Sequence, residues 1–212
     1  MKNIEDLQKS YESKKSEIKK RLEEFRSVLN ESDEIIFAEL AFCLCTPQSK
    51  AKHAWAAISA LNKHNLLLSG NSDQIKPFLN SVRFNESKAK YIVEARNFFM
   101  RDSNLEIKSK LDMSSPEKNR QWLVENVKGY GLKEASHFLR NIGIGKSLAI
   151  LDRHILKNLV EYGVIDEVPK SLTGKKYFEI EKKFIEFSEK IGIPMEELDL
   201  LFWSEETGHI FK

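Results

Sequence analysis

Hydrophobic residues recur along most of the chain at intervals of three and four, the spacing of one face of an α-helix. β-type alternation and Asn-Gly or Asp-Gly hairpin turns are absent, so the pattern predicts an all-α protein. Asn85 and Ser87 are the candidate caps of one long helix, and Ser115-Pro116 opens the next. The predicted helices span about 4–29, 34–45, 49–62, 72–79, 85–100, 116–127, 153–162, 173–191 and 194–206.

The composition is that of a folded protein with a sizeable core. The 212 residues are 41% hydrophobic and 31% charged, which excludes a disordered chain and allows one domain or two small lobes. The longest apolar run, Glu34–Cys45, is shorter than the ~20 residues that a membrane-spanning helix needs. Residues 1–21 lack the apolar stretch of a secretory signal. We therefore expect a cytoplasmic protein that contacts no membrane.

Charge, cysteine and histidine usage narrow the chemistry further. The net charge is only +2, so any basic face for nucleic acid must be local. Cys43 and Cys45 point to different faces of a predicted helix, and two cysteines are too few for a four-cysteine metal cluster. The five histidines show no metal-ligand spacing, so we expect no catalytic metal.

The most specific motif is a pair of glycines, Gly129 and Gly131, between two helical patterns. Such a tight hairpin lets the backbone approach a ligand, and the helix after it presents N-terminal amides that can bind a backbone phosphate. The glycine spacing alone is equally compatible with an ordinary corner between two helices.

A second candidate, Asp152, follows the apolar segment 148–151 and opens a helix. Its carboxylate would cap that helix and stay ionised, which suits electrostatic or acid–base work. A capping role without catalysis is the alternative.

Together these residues resemble the helix-hairpin-helix DNA glycosylase superfamily, whose lyase members carry a lysine just after the hairpin, here Lys133. Further matching pieces look like the second family of 8-oxoguanine DNA glycosylase/lyases, which is common in archaea. They are Lys-Glu-Ala-Ser-His-Phe-Leu-Arg-Asn at 133–141, Asp-Arg-His-Ile at 152–155, Val-Arg-Phe at 82–84, Lys-Ala-Lys-Tyr-Ile at 88–92 and the ending 201–212.

The resemblance implies two helical lobes that flank a DNA-binding cleft. One is the central lobe 32–145, which ends in the helix-hairpin-helix motif at about 118–142; the other combines 1–31 with 146–212. It also implies a monomer that acts on double-stranded DNA with oxidised guanine or abasic sites, associated with the nucleoid. No cofactor is expected, except that a structural monovalent or divalent cation could bind the hairpin carbonyls.

The mechanism that the resemblance implies begins with a nucleotide flipped out of the duplex. Lys133 would attack its C1′ as a neutral amine, expel the base, form a Schiff base and cleave the strand on the 3′ side by β-elimination. Asp152 would accept the ammonium proton and stabilise the oxocarbenium-like sugar.

Base recognition is assigned by the same resemblance to Phe84 and Trp203, on either side of the flipped base, and to the chain end at Lys212. A terminal carboxylate can accept a hydrogen bond from N7–H, which 8-oxoguanine has and guanine lacks. Core packing of the two aromatic rings, and a frayed tail at Lys212, are the alternatives.

DNA contacts are expected from the hairpin and from a loop after the central helix. Gln48 is the candidate plug for the gap in the duplex, where the resembling family usually has Asn and the endonuclease III branch has Gln, so the opposite-base preference is open. Lys128 and Arg153 are candidates for a DNA-facing strip, unless they are ordinary surface charges. The other candidates for the strip are Lys50, Lys52, Lys88, Lys90, Lys146 and Lys157.

Two other functions stay open. An endonuclease III-like glycosylase for oxidised pyrimidines is favoured by Gln48 and disfavoured by the missing four-cysteine cluster. A non-catalytic helix-hairpin-helix module would bind DNA but would leave Lys133 and Asp152 without a joint purpose.

Overall fold

The computed structural model describes residues 2–212 and confirms the all-α prediction. The described part of the chain contains eleven α-helices, two short 3-10 helices at Lys76–Leu79 and Lys108–Lys110, and one two-stranded sheet of β1 (Met100–Arg101) and β2 (Asn104–Leu105). The helices are α1 (Ile4–Val28), α2 (Asp33–Cys45), α3 (Ala51–Lys63), α4 (Leu66–Ser69), α5 (Ser72–Ile75), α6 (Asn85–Phe99), α7 (Pro116–Asn126), α8 (Leu132–Asn141), α9 (Arg153–Glu161), α10 (Gly174–Ile191) and α11 (Met195–Thr207).

The structure corrects three local predictions. The helix expected over 72–79 is α5 followed by a 3-10 helix that contains Pro77, because proline supplies no N–H for a continuing α-helix. The N-cap of α6 is Phe84, in a left-handed conformation, so Asn85 and Ser87 are not its caps. The β1–β2 hairpin turns at Asp102 and Ser103, both with positive φ, and its Asp-Ser sequence lacks the usual glycine signal.

The first hydrophobic core surrounds α2. Every side chain of α2 from Ile36 to Cys45 is buried, because the helix is covered by α3, α6 and α8. The helix ends at Cys45, as predicted from Thr46-Pro47. Thr46 itself keeps helical angles, with φ −69° and ψ −32°, so the helix stops because Pro47 supplies no N–H for a further turn. This core includes α7 and α8 and extends along the chain to Leu148.

The second core joins the two ends of the chain. It consists of the buried face of α1, from Leu7 to Phe25, and apolar side chains from Ala149 to Phe202 on α9, α10 and α11. The predicted division into 32–145 and the two chain ends stays a prediction; the existence of two cores is consistent with it.

Buried ion pairs connect the two cores. Arg120 on α7 donates from both terminal nitrogens to the carboxylate of Glu181 on α10, at 2.6 and 2.9 Å. Arg140 on α8 lies 3.6 Å from Asp199 on α11. These contacts hold the hairpin helices α7 and α8 against the second core.

Across residues 2–212, no helix combines the length and apolar character needed to cross a bilayer.

Candidate active site

The turn between α7 and α8 requires glycine at one position. Gly129 has φ +93°, and a Cβ there would lie 2.5 Å from the ring of Tyr91. Both the left-handed backbone and the close ring exclude other side chains. The turn is closed by a hydrogen bond from the Tyr130 amide to the Val127 carbonyl, 3.1 Å long. The predicted hairpin is therefore present, with Gly129 exposed at its tip.

The start of α8 is capped by its own third residue. The Gly131 amide donates to Glu134 Oε2 at 3.1 Å, so this amide of the expected phosphate seat is already bonded in the absence of DNA. The amides of the first helical turn lie beyond this cap, at the positive end of the helix dipole. Phosphate binding by Gly129 and Gly131 stays a prediction.

Lys133 lies in the first turn of α8, with 21% of its side chain exposed. Its Nζ is 2.9 Å from Glu134 Oε1 and 3.4 Å from the hydroxyl of Thr46. The residue lines an open cavity of about 500 Å³ between the two cores. Side chains of α7 and α10 complete the lining, among them Gln121, Val124, Tyr177 and Phe178. Thr46, which the amine contacts, and Asp152 are not among the lining residues, so the cavity lies beside Lys133 without reaching Asp152.

Asp152 is the N-cap of α9, as predicted. One carboxylate oxygen, Oδ1, accepts from the amides of His154 and Ile155 at 2.8 and 2.9 Å. The other, Oδ2, accepts from the indole nitrogen of Trp203 at 3.1 Å. Three donors therefore hold the carboxylate in one orientation at the boundary of the two cores.

Lys133 and Asp152 are not in direct contact. Among residues 2–212, the carboxylate within ion-pairing distance of Lys133 Nζ belongs to Glu134. Proton transfer from Lys133 to Asp152 stays a prediction, and Glu134 is the carboxylate next to the amine.

The two aromatic candidates occupy different surroundings. Phe84 is 55% exposed at the start of α6, with the Arg83 guanidinium 5.1 Å from its ring centre. It borders a cavity of about 220 Å³ together with Pro47, Lys88 and Gly129. Phe84 is thus not a core residue and keeps a free face for stacking.

Trp203 is half-buried on α11, and its ring meets His154 edge-on at 6.0 Å between centres. Its indole N–H is engaged by Asp152. Of the described aromatic contacts, none joins Trp203 to Phe84, so the structure does not place the two predicted base-stacking rings against each other.

The chain end is anchored rather than frayed. The Lys212 ammonium pairs with Glu39 on α2 and lies 3.5 Å from the ring centre of Trp55. Burial lowers the pKa of this ammonium, although the charge of Glu39 opposes the shift. Arg21 also holds the end of the chain, because its Nε donates to the Phe211 carbonyl at 2.8 Å.

The loop between α2 and α3 exposes Gln48 to solvent, with φ +55°. Lys88 on α6 holds the loop from below, donating to the carbonyls of Cys45 and Pro47 at 2.9 and 2.7 Å. The prediction that Lys88 lines the DNA-facing strip is therefore wrong, because its ammonium is buried under the loop.

The remaining basic candidates are exposed. Lys128 lies beside the hairpin and pairs with Glu94 at 3.2 Å, and Arg153 is exposed in the first turn of α9. The others of this group are Lys50, Lys52, Lys90, Lys146 and Lys157. Their contact with DNA stays a prediction.

Sequence reasoning missed the contacts of three residues at the site: Glu134 and Glu39 were not candidates, and Lys88 was assigned to the DNA-facing strip. Glu134 stands three residues after Gly131, the spacing of a capping box, which was the available signal. Lys88 falls in helical register with the buried Ile92, and Glu39 interrupts an otherwise apolar helix. Lys88 and Glu39 are thus polar residues where the helical pattern predicts apolar ones, and Glu134 is a capping residue.

No group of three or more potential metal ligands from His, Cys, Asp and Glu occurs within residues 2–212. Cys43 and Cys45 are both free and buried.

A glycine hairpin between packed helices, a lysine in the next helical turn and an aspartate capping a later helix define the helix-hairpin-helix class of protein. The model of the family described as 8-oxoguanine DNA glycosylase matches residues 18–193. The chain therefore belongs to the 8-oxoguanine DNA glycosylase family.

Individual proteins agree with this assignment over nearly the whole chain. A curated 8-oxoguanine DNA glycosylase/AP lyase of Fusobacterium nucleatum is 47% identical over 209 residues, covering 98% of this chain and 96% of that protein. The crystal structure of the Methanocaldococcus jannaschii glycosylase/lyase in complex with a 15mer DNA containing 8-oxoguanine is 36% identical with a TM-score of 0.86, covering 97% of this chain and 99% of that one. The Thermotoga maritima 8-oxoguanine DNA glycosylase is 32% identical with a TM-score of 0.83, covering 99% of this chain and 98% of that one.

Proposed function

We propose that this chain flips 8-oxoguanine out of duplex DNA, excises it through a Schiff base on Lys133 and cleaves the strand 3′ to the abasic site. The observation that carries the proposal is the position of Lys133, in the first turn after the hairpin, with its side chain partly exposed and its amine between Glu134 and Thr46. The names of the relatives, and the 8-oxoguanine DNA held by the Methanocaldococcus jannaschii enzyme, support the choice of lesion.

The reaction begins when the neutral amine of Lys133 attacks C1′. The N-glycosidic bond breaks, and the base leaves with the bonding electrons and takes up a proton. The sugar ring then opens to form an imine with Lys133. Loss of a C2′ proton and breakage of the C3′–O bond complete the β-elimination, and water releases Lys133 from the product.

Asp152 stabilises the positive charge that develops on the sugar as the base leaves. Its three hydrogen bonds, from two helix amides and Trp203, hold the carboxylate in one orientation. A preoriented charge of this kind needs no reorganisation at the moment of reaction.

Glu134 receives the proton that Lys133 must lose before attack. Its Oε1 lies 2.9 Å from the amine, while Oε2 is anchored on the Gly131 amide, so the carboxylate is already in place. Transfer onward to Asp152 requires a closer approach of the two residues once DNA is bound.

Base recognition combines stacking with one directed hydrogen bond. Phe84 offers an exposed ring, Trp203 lies beside Asp152, and the anchored chain end at Lys212 presents a terminal carboxylate. That carboxylate accepts a hydrogen bond from N7–H of 8-oxoguanine, which guanine cannot donate.

The partner is double-stranded DNA with oxidised guanine or an abasic site, bound by a monomer through the hairpin, Lys128 and Arg153. The chemistry proposed uses only an amine and carboxylates, so no cofactor enters it. A structural cation at the hairpin carbonyls remains a prediction. Localisation in the cytoplasm, at the nucleoid, also remains a prediction.

One observation favours a second candidate. Gln48 resembles the endonuclease III branch, whose members remove oxidised pyrimidines, and it stands exposed where a plug would enter the duplex. Base excision from thymine glycol duplexes would support this candidate, and DNA binding without any excision would support a non-catalytic module.

Borohydride trapping on duplexes with a single lesion tests the proposal. We expect a covalent adduct with 8-oxoguanine opposite cytosine, and none with Lys133→Gln, because an amide side chain cannot form an imine. Lys9→Gln is the matched control, since it changes an exposed lysine of α1 that pairs only with Asp6. An adduct formed by Lys133→Gln at the parent level would assign the nucleophile to another amine.

A further inference from the structure

Lys88 is a buried cation whose contacts are almost all backbone oxygens. The residue is 4% exposed, and its Nζ donates to the Cys45 carbonyl at 2.9 Å, the Pro47 carbonyl at 2.7 Å and the Ser49 hydroxyl at 3.4 Å. Among residues 2–212, no carboxylate lies within ion-pairing distance of it. Burial lowers its pKa to about 8. Burial of a cation costs free energy unless hydrogen bonds replace its hydration. Here two backbone carbonyls and the Ser49 hydroxyl accept hydrogen bonds from Lys88.

The loop that Lys88 holds has a strained backbone. Gln48 adopts φ +55°, a left-handed conformation that costs a non-glycine residue about 1–3 kcal/mol unless its surroundings impose it. The two carbonyls that accept from Lys88 belong to Cys45 and Pro47, three residues and one residue before Gln48. The ammonium therefore fixes the backbone from which Gln48 projects.

Lys88 and Ser49 form a polar joint that also includes the residue before Phe84. The Arg83 amide donates to the Ser49 hydroxyl at 2.9 Å, and Phe84 is itself left-handed, with φ +60°. Two exposed left-handed residues, Gln48 and Phe84, thus stand on either side of one joint formed by Lys88 and Ser49. Neither lies in the first turn of α8, but the loop that carries Gln48 also contacts Lys133 through Thr46.

The loop also touches the proposed nucleophile. Thr46 donates to the Cys43 carbonyl at 2.9 Å, and its hydroxyl lies 3.4 Å from Lys133 Nζ. A displacement of the loop would therefore move Gln48 and would also change the contact between Thr46 and the Lys133 amine.

We propose that Lys88 is a positioning residue for base flipping. It holds the loop that carries Gln48 at a fixed distance from Phe84, so that Gln48 can enter the duplex while Phe84 stacks on the extruded base. This inference rests on the proposed function, in which Gln48 fills the gap and Phe84 stacks on the extruded base. Flipping costs a few kcal/mol, and a preset plug recovers part of that cost without first ordering a loop.

Lys88→Met tests the inference, because methionine keeps the length of the side chain and removes the three hydrogen bonds. We expect single-turnover excision of 8-oxoguanine from duplex DNA to slow about tenfold, the factor that corresponds to about 1.4 kcal/mol of transition-state stabilisation. Lys182→Met is the matched control, since Lys182 is an exposed lysine of α10. Excision by Lys88→Met at the parent rate would overturn the inference.

A double-mutant cycle with Gln48→Ala separates positioning from general damage. If Lys88 acts through the plug, Lys88→Met will add little once the Gln48 side chain is gone, whereas independent effects would multiply. Fluorescence of 2-aminopurine next to the lesion reports flipping directly, and we expect a smaller rise with Lys88→Met than with the parent. Multiplying effects, or an unchanged fluorescence rise, would contradict the proposal.

Two further measurements keep the test decisive. If Lys88→Met does not fold, Ser49→Ala replaces it, because this variant removes only one hydroxyl of the joint. Excision of 8-oxoguanine from duplex DNA must then slow, by a smaller factor than expected for Lys88→Met. If the parent itself does not excise 8-oxoguanine, the proposed function fails, while the fluorescence comparison on abasic duplexes still decides the role of Lys88.

Discussion

Trp203 donates its indole N–H to Asp152, with Nε1 3.1 Å from Oδ2. The bond joins α11 to the first turn of α9 and couples a residue assigned to base recognition with one assigned to catalysis. Because Oδ1 already accepts two helix amides, the carboxylate has little freedom to rotate. The charge of Asp152 and its capping role are therefore separable by mutation.

Asp152→Asn tests the charge. Asparagine keeps an oxygen that can cap α9 but turns its NH₂ group toward the Trp203 N–H, so we expect about 1 kcal/mol of stability to be lost with that hydrogen bond. We expect base excision to slow by about 10²-fold or more, the range typical for loss of an acid–base group. Asp152→Ala should add a loss of about 1 kcal/mol in unfolding free energy from the missing cap. Single-turnover kinetics and urea denaturation provide the two readouts. Excision by Asp152→Asn at the parent rate would show that Asp152 only caps α9 and that its charge does not contribute to catalysis.

Removal of Lys212 tests the role of the chain end. We expect selectivity for 8-oxoguanine over guanine to fall more than cleavage of abasic sites, because only base discrimination uses the terminal carboxylate. The deletion also leaves Glu39 buried without its cation, which costs about 3–5 kcal/mol when one partner of a buried pair is lost. Combining the deletion with Glu39→Gln removes both buried charges and serves as the stability control. Equal losses of the two activities in the combined variant would refute the role.

Gly129→Ala tests the hairpin. The substitution forces alanine into a left-handed backbone and brings its Cβ to 2.5 Å from Tyr91, so we expect at least about 2 kcal/mol of destabilisation. Gly174→Ala is the control, because a Cβ at the start of α10 meets nothing within 4 Å. Denaturant unfolding of both variants measures the difference. Equal stability of the two would mean that the turn relaxes freely.

Asp199 should make stability depend on pH. Burial raises its pKa from 3.8 to about 7; the Arg140 charge opposes the shift and the Asp152 charge adds to it. Between these pH values the folded protein binds a proton that the unfolded chain has lost, so this contribution to stability falls as pH rises from about 4 to about 7. Thermal unfolding across that window should show a shallower decline for Asp199→Asn than for the parent. An identical pH profile would exclude Asp199 as the source.

Features set by near neighbours in the chain were predictable from sequence. The apolar periodicity located most helices, Pro47 marked the end of α2, and Asp152 was recognised as a cap because a cap depends on the next three residues. Even here the left-handed Phe84 and the Asp-Ser turn of the hairpin escaped, since neither carries the glycine that usually marks a positive φ.

Contacts between distant residues were decided only by the tertiary structure. Trp203 meets Asp152 across 51 residues, Lys212 meets Glu39 across 173, and Lys88 is buried beneath a loop 39 to 43 residues earlier in the chain. A lysine or glutamate has the same local pattern whether it faces water or a buried partner, and only the packing of the two cores determines which. The sequence by itself thus determined the helices, the hairpin and the reactive residue types, and the fold alone decided which charges meet.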